Sequence, residues 1–241
     1  MSEPSLETGP AVEPMPAPIR WEMAVVLLVG VVSPLASSIA SYCWPEYQKS
    51  GAGTSFALRE FVGLEHALLV GVVMLYVLYR SGEPWSLWGI RRPKWYDLPV
   101  GIVIWLMSWF FGDLIGRTLV VHFGSDWQDF YEFPTLDRSS WVDQTLLVAF
   151  SCANGFAEEV VMRGYLIPRF ERLLRSTGAA VVATSALFAG YHLYQGLMST
   201  ATIFAIGLVF GLSFVALRRL WPLAIAHALA DYFVPWLNTM E

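Results

Sequence analysis

Residues 199–238 have the sequence STATIFAIGLVFGLSFVALRRLWPLAIAHALADYFVPWLN. Two long apolar runs, residues 199–217 and 221–238, flank a short turn that contains Arg218 and Arg219. Each run is close to the roughly 20 residues with which an α-helix crosses a bilayer. Because lipid offers the backbone no hydrogen-bond partners, a helix is the structure that such runs predict. This stretch therefore predicts two membrane-spanning helices joined by a tight basic turn.

Five further apolar runs precede this stretch and extend the prediction along the chain. We expect an all-α, polytopic transmembrane helix bundle of about seven spans, within a range of six to eight. Residues 1–20 are rich in proline and glutamate and are expected to form a disordered cytoplasmic arm. Residues 21–241 are expected to form a single transmembrane domain. The predicted spans are residues 21–42, 57–79, 97–121, 141–166, 179–196, 199–217 and 221–238.

The composition of the 241-residue chain is typical of a protein that lies in the lipid bilayer. Hydrophobic residues make up 56% of it and charged residues 15%, whereas soluble domains have about 25% charged residues. The net charge of -5 leaves no basic surplus for phosphate contacts, which argues against nucleic-acid binding. Two cysteines, Cys43 and Cys152, are too few for a disulfide scaffold or a four-cysteine metal site.

Basic residues alternate between successive loops and predict the orientation of the chain. The loops after the first and third spans contain only Lys49 and Arg138 as basic residues. Cytoplasmic loops are enriched in Lys and Arg, so we expect the N-terminus in the cytoplasm. The expected location is a bacterial inner membrane, which the chain crosses several times. The basic residues after the second, fourth and sixth spans are Arg80, Arg91, Arg92, Lys94, Arg169, Arg172, Arg175, Arg218 and Arg219.

Ionisable side chains inside predicted spans are the main functional signal, because such groups are expensive in lipid. Glu159 and Arg163 are four residues apart and share a helix face, so we predict a structural ion pair. Glu158 is rotated by about 100° from Glu159 and has no cation four residues away. That position suits a general base. The alternative is a solvated carboxylate at the interface, or one paired with a distant arginine.

His192 and His227 lie on two other predicted spans, which allows them to converge with Glu158 on one polar pocket. Asp231 follows His227 by four residues and is placed to accept a hydrogen bond from its imidazole. Such a pocket can hold a water for attack on a peptide carbonyl, with or without a divalent metal such as zinc. Zinc would take the two imidazoles and a carboxylate as ligands, but Glu158 could not easily be both ligand and base. The alternative for each histidine is a structural core residue.

Three short motifs follow one another along the chain and together resemble those of the CPBP family. This family comprises CAAX prenyl endopeptidases, bacteriocin-processing enzymes and Abi proteins. The resemblance covers roughly residues 140–238, the expected catalytic core. The motifs are Glu158-Glu159-x-x-x-Arg163-Gly164, Phe188-x-x-x-His192 and His227-x-x-x-Asp231.

The resemblance implies an intramembrane endopeptidase, expected to be a metalloprotease, that cleaves a membrane-associated peptide or protein. It implies that Glu158 activates water and that His192 positions this water. It also implies that His227, with the residue four positions later, stabilises the oxyanion. Glu159 and Arg163 are implied as a structural pair. The candidate substrates are a CAAX-like C-terminus, a leader peptide and a sorting segment.

Asp231 departs from the family pattern, which commonly has asparagine at this position. An ionised carboxylate cannot donate a hydrogen bond to an oxyanion. Asp231 is therefore expected either to stay protonated in an apolar site or to orient His227. The alternative function is a non-catalytic membrane scaffold or bacteriocin-immunity protein of the same fold. The presence of Glu158, His192 and His227 favours the enzyme.

Overall fold

The computed structural model describes residues 17–44, 55–124, 136–137 and 139–238, and every regular element in these ranges is helical. Two π-helical segments, Leu28–Val32 and Val160–Leu166, continue α1 into α2 and α5 into α6, and a 3-10 helix, Leu193–Gln195, precedes α8. Most of the predicted disordered arm, residues 1–16, lies outside the described residues. The helices are α1 (Ala17–Leu27), α2 (Ser33–Cys43), α3 (Phe56–Arg80), α4 (Asp97–Phe123), α5 (Trp141–Glu159), α6 (Ile167–Leu174), α7 (Thr177–Gly190), α8 (Leu197–Leu217) and α9 (Trp221–Asn238).

Five helical stretches among the described residues are long and apolar enough to cross a membrane. They confirm the predicted all-α, polytopic membrane fold. The α7 helix is also apolar but has only 14 residues, and α9 has 18. A count of seven spans and a cytoplasmic N-terminus stay predictions. The five stretches are Trp21–Cys43, Phe56–Arg80, Asp97–Phe123, Trp141–Leu174 and Leu197–Leu217.

The helix expected over residues 179–196 ends earlier than predicted. The α7 helix ends at Gly190, and the backbone N–H of His192 donates to the carbonyl of Ala189 at 3.0 Å in a turn. Gly196 then adopts a φ of 101°, which glycine tolerates better than other residues, and α8 begins after it. His192 therefore lies in the connection between α7 and α8, and not on a membrane-spanning helix.

Both π-helical segments precede a proline. Proline has no backbone N–H to donate to the carbonyl four residues earlier in an α-helix. That carbonyl belongs to Gly30 for Pro34 and to Gly164 for Pro168. A shift toward longer-range hydrogen bonds is a common way for a helix to pass such a site. The same Gly-x-x-x-Pro pattern thus accompanies both irregular turns, and the second turn directly follows the two adjacent glutamates.

Close contacts at glycine bring neighbouring helices together around the middle of the bundle. A Cβ atom on Gly155 of α5 would lie 2.8 Å from the backbone nitrogen of Ala228 on α9. A Cβ on Gly207 of α8 would lie 3.1 Å from the Cβ of Ser185 on α7. Small residues at membrane helix interfaces allow such backbone approach. Because Gly155 lies one turn before the two glutamates, its contact places them beside α9.

Charged residues from the three predicted cytoplasmic loops meet at one end of the bundle. Arg219 donates to Asp97 through two hydrogen bonds, Nε to Oδ1 at 2.8 Å and Nη2 to Oδ2 at 2.6 Å. Both side chains are buried. These contacts place the three loops on the same side, as the alternation of basic residues requires. Two further ion pairs join the same loops, Arg218 with Glu171 and Arg172 with Glu83.

Arg169 is fully buried at this end, beside the ring of Trp88. Its guanidinium lies 2.7 Å from a carboxylate oxygen of Glu83, which also pairs with Arg172. Burial raises the pKa of Glu83, but the hydrogen bonds and charges of the two arginines outweigh it, so the net effect lowers the pKa below its ordinary value. Glu83 is therefore ionised at neutral pH.

We predict that Asp97→Ala lowers the free energy of unfolding by about 3 to 5 kcal/mol, because it leaves the buried Arg219 without its carboxylate. Unfolding by increasing dodecyl sulfate in mixed micelles, followed by tryptophan fluorescence, measures the change. The control is Glu65→Ala, which removes an exposed carboxylate from α3 and should leave the unfolding curve nearly unchanged. Equal shifts for the two variants would contradict the prediction.

Candidate active site

Glu159 is a fully buried carboxylate at the end of α5. Its Oε1 accepts a hydrogen bond from Nη1 of Arg163 at 2.8 Å and another from Nδ1 of His227 at 2.8 Å. Arg163 is also buried, and the pair has the four-residue spacing that predicts it. Glu159 therefore connects the centre of the long α5–α6 stretch to α9.

Arg163 extends this connection to two more helices. Its guanidinium carbon lies 4.5 Å from the ring centroid of Phe188 on α7 and 5.2 Å from that of Phe210 on α8. A cation over an aromatic face is attracted by the ring quadrupole, more strongly where water is excluded. Nη2 also approaches the carbonyl of Gly207 at 3.5 Å. One buried ion pair thus contacts α7, α8 and α9.

The orientation of His227 follows from its bond to Glu159. Because Nδ1 donates to that carboxylate, Nε2 faces the other way, 3.4 Å from Oε2 of Glu158 and 3.6 Å from Oδ1 of Asp231. Both separations exceed the usual length of an N–H···O hydrogen bond. Asp231 instead accepts a hydrogen bond from Nδ2 of Asn154 at 2.9 Å. The residue that orients His227 is therefore Glu159, and not Asp231 as the four-residue spacing suggested.

Glu158 faces away from Glu159, as the 100° rotation predicts. Its side chain is 23% exposed, and its Oε2 accepts a hydrogen bond from the hydroxyl of Tyr191 at 2.8 Å. The Tyr191 ring is buried. Sequence reasoning missed this tyrosine and also the contact of Asn154 with Asp231. The signal for Tyr191 was its place directly before the histidine of the second motif.

His192 presents one ring nitrogen for further contacts. Its Nδ1 lies 2.9 Å from the carbonyl oxygen of Phe188, so this nitrogen carries the proton and donates. Nε2 is then the nitrogen that can accept a hydrogen bond. The imidazole also packs against the ring of Tyr191, with ring centroids 4.5 Å apart. The tight turn after α7 thus fixes both the tautomer and the position of His192.

Two cavities meet at Glu158. The larger, of about 430 Å³, lies among α3, α5, α8 and α9 and is lined by all four predicted catalytic residues. The smaller, of about 370 Å³, lies among α2, α3 and the two π-helical segments. Both have the size of small-molecule sites. Glu159 and Arg163 line neither cavity and lie behind the site. The residues shared by the two cavities are Asn154, Glu158, His192 and Tyr194.

The predicted metal ligands, His192 and His227, both line the larger cavity. However, the described part of the chain contains no group of three or more His, Cys, Asp or Glu side chains arranged to hold a metal ion. Nδ1 of each histidine is engaged, by Phe188 and Glu159, which leaves Nε2 as the nitrogen that could bind a metal. The side chains in this arrangement do not fit a three-ligand zinc site. Metal dependence stays a prediction.

Residues 140–233 match a family model described as type II CAAX prenyl endopeptidase, Rce1-like. This match supports membership of the CPBP family. The match contains every predicted site residue and supports a membrane protease fold. The CPBP segment begins just before α5, so α1 to α4 lie outside it. The searches of curated proteins and of solved structures found no match.

We predict that Glu159→Gln and Arg163→Met each lower the free energy of unfolding by about 3 to 5 kcal/mol, because each leaves a buried charge unpaired. The double variant should lose less than the sum of the two, because neither charge then remains. The four proteins are compared by the same dodecyl sulfate unfolding. Strictly additive losses would show that the two side chains do not stabilise each other.

Proposed function

We propose that the protein is an intramembrane endopeptidase in which Glu158 is the general base. The observation that carries this proposal is the division between the two adjacent glutamates. Glu159 is buried with Arg163, whereas Glu158 borders both cavities. Nε2 of His227 stands 3.4 Å from the Glu158 carboxylate. A carboxylate at the wall of a cavity, beside an imidazole held in one orientation, is suited to activate water.

In the proposed reaction, Glu158 takes a proton from a water molecule whose oxygen attacks the substrate's carbonyl carbon. The new carbon–oxygen bond pushes the carbonyl electron pair onto oxygen and forms a tetrahedral oxyanion. His192 positions the water through Nε2. His227, with a proton on Nε2, donates to the oxyanion, and the Glu159 carboxylate favours this charged imidazole. Glu158 then gives its proton to the leaving nitrogen as the carbon–nitrogen bond breaks.

The proposed substrate is a segment of a membrane-associated peptide or protein. The site lies between helices that are long and apolar enough to cross a bilayer, so the scissile bond would lie in or near the membrane. The name of the matched family points to a CAAX-like C-terminus, and a leader or sorting segment fits the same cavity chemistry. The proposed location is a bacterial inner membrane. The alternation of basic loops supports the proposed orientation, with the N-terminus in the cytoplasm.

The test compares protein termini in membranes from cells that express the wild-type chain, Glu158→Gln or Glu65→Gln at equal levels. Glu65→Gln is the matched control, because it removes the same charge from an exposed position on α3. New termini should appear with the wild type and the control. With Glu158→Gln they should fall by about 100-fold or more, because a positioned general base contributes about 10² to 10⁴ in rate.

Two results would contradict the proposal. If Glu158→Gln produces as many new termini as the wild type, Glu158 is not the general base. Identical profiles for all three chains and for an empty-vector control would favour a non-catalytic scaffold or immunity protein. Detection of each variant in the membrane fraction at the wild-type level shows that equal amounts of the three chains are compared.

A further inference from the structure

The smaller cavity has two kinds of wall. One polar side comes from α2 and α3, where Ser37 and Ser41 are four residues apart on one helix face and His66 stands on the other helix. Ser37 and His66 are exposed, so the cavity reaches the surface of the bundle. These three residues lie outside the segment that matches the family model, whereas the candidate catalytic residues of the opposite side lie inside it. The apolar floor is formed by Val29, Gly30, Val70, Val161 and Met162.

Two contacts fix this cavity beside the candidate catalytic residues. Oγ of the buried Ser38 accepts a hydrogen bond from the backbone N–H of Tyr194 at 2.8 Å, which ties α2 to the connection that carries His192. On the floor, a Cβ atom on Gly30 would lie 3.1 Å from Cγ1 of Val161. The two π-helical segments are therefore in close contact here. The N-terminal helix is thus part of the wall of the site.

A substrate in a bilayer imposes a requirement that this cavity meets. A peptide bond inside an intact helix has its N–H and C=O groups paired, and lipid cannot replace those partners once the helix unwinds. Each buried group left unpaired carries an uncompensated desolvation cost. A serine hydroxyl can both donate and accept a hydrogen bond. Two such hydroxyls, one helical turn apart, can pair with successive groups of an extended chain.

We propose that the smaller cavity binds an unwound, extended segment of the substrate on one side of the scissile bond. An apolar side chain lies on the floor beside Val29, and the segment's backbone bonds to the hydroxyls of Ser37 and Ser41. The larger cavity, on the other side of Glu158, then receives the rest of the chain. This inference rests on the proposed endopeptidase function and adds its substrate-binding subsite.

The test measures protection of a single cysteine by a short apolar peptide and does not depend on catalysis. The full-length chain carries Glu158→Gln, Cys43→Ser and Cys152→Ser in lipid nanodiscs, with either Ser41→Cys or Ser33→Cys added. Ser33 is the matched control, because it lies on the same helix, is exposed and does not line the cavity. The probe is acetyl-Leu-Leu-amide, and the readout is the rate of reaction with a methanethiosulfonate reagent.

Saturating peptide should slow labelling of Ser41→Cys by about tenfold and leave Ser33→Cys unchanged. Adding Val29→Trp, which enlarges an exposed side chain of the floor, should abolish the protection of Ser41→Cys. An unchanged labelling rate at Ser33→Cys in the Val29→Trp background shows that the surroundings of α2 are unchanged. No slowing at Ser41→Cys, or equal slowing at both positions, would overturn the inference.

Failure of this inference is distinguishable from failure of the proposed function. If new protein termini depend on Glu158 but the peptide does not protect Ser41→Cys, the endopeptidase proposal stands and the substrate binds elsewhere. If the peptide protects Ser41→Cys but no new termini depend on Glu158, the cavity binds peptide on a protein that does not cleave it.

Discussion

The structure depends on one buried carboxylate, that of Glu159, inside a membrane bundle. An ion in such a place is tolerated only when a counter-ion balances its charge and hydrogen bonds stabilise it. Arg163 supplies the charge, and both Arg163 and His227 donate to the same oxygen. The close approach of α5 and α9 at Gly155 is what allows the second of these bonds. The orientation of the histidine is therefore a consequence of this constraint, and the packing of α5 against α9 makes it possible.

The same constraint separates the roles of two adjacent glutamates. With Glu159 committed to the ion pair, Glu158 is directed to the point where the two cavities meet. The π-helical turn begins immediately afterwards and changes the register of the residues that follow. The N-terminal helices, although outside the matched segment, line one side of the second cavity. The proposed catalytic chemistry belongs to the matched segment, whereas one wall of the proposed substrate site belongs to the N-terminal part of the chain.

Local sequence patterns predicted much of this arrangement, but they could not predict the contacts between residues far apart in the sequence. Apolar runs predicted the helices, and four-residue spacing predicted the Glu159–Arg163 pair, because both depend on neighbours in sequence. The bond that orients His227 comes from a residue 68 positions away, so spacing favoured Asp231 instead. The hydroxyl of Tyr191 reaches Glu158 across 33 positions, and no local pattern reveals that. The Gly-x-x-x-Pro pattern at both π-helical turns was visible in the sequence and became interpretable only with the backbone.

The protonation of His227 tests most directly whether Glu159 orients this histidine. Solid-state NMR of the ¹⁵N-histidine-labelled chain in lipid, with His227→Gln for assignment, reports which ring nitrogens carry protons. We predict a protonated, hydrogen-bonded Nδ1 in the wild type and loss of that hydrogen-bond signature in Glu159→Gln. A neutral His227 with an unprotonated Nδ1 in the wild-type chain would contradict the arrangement on which the proposed site rests.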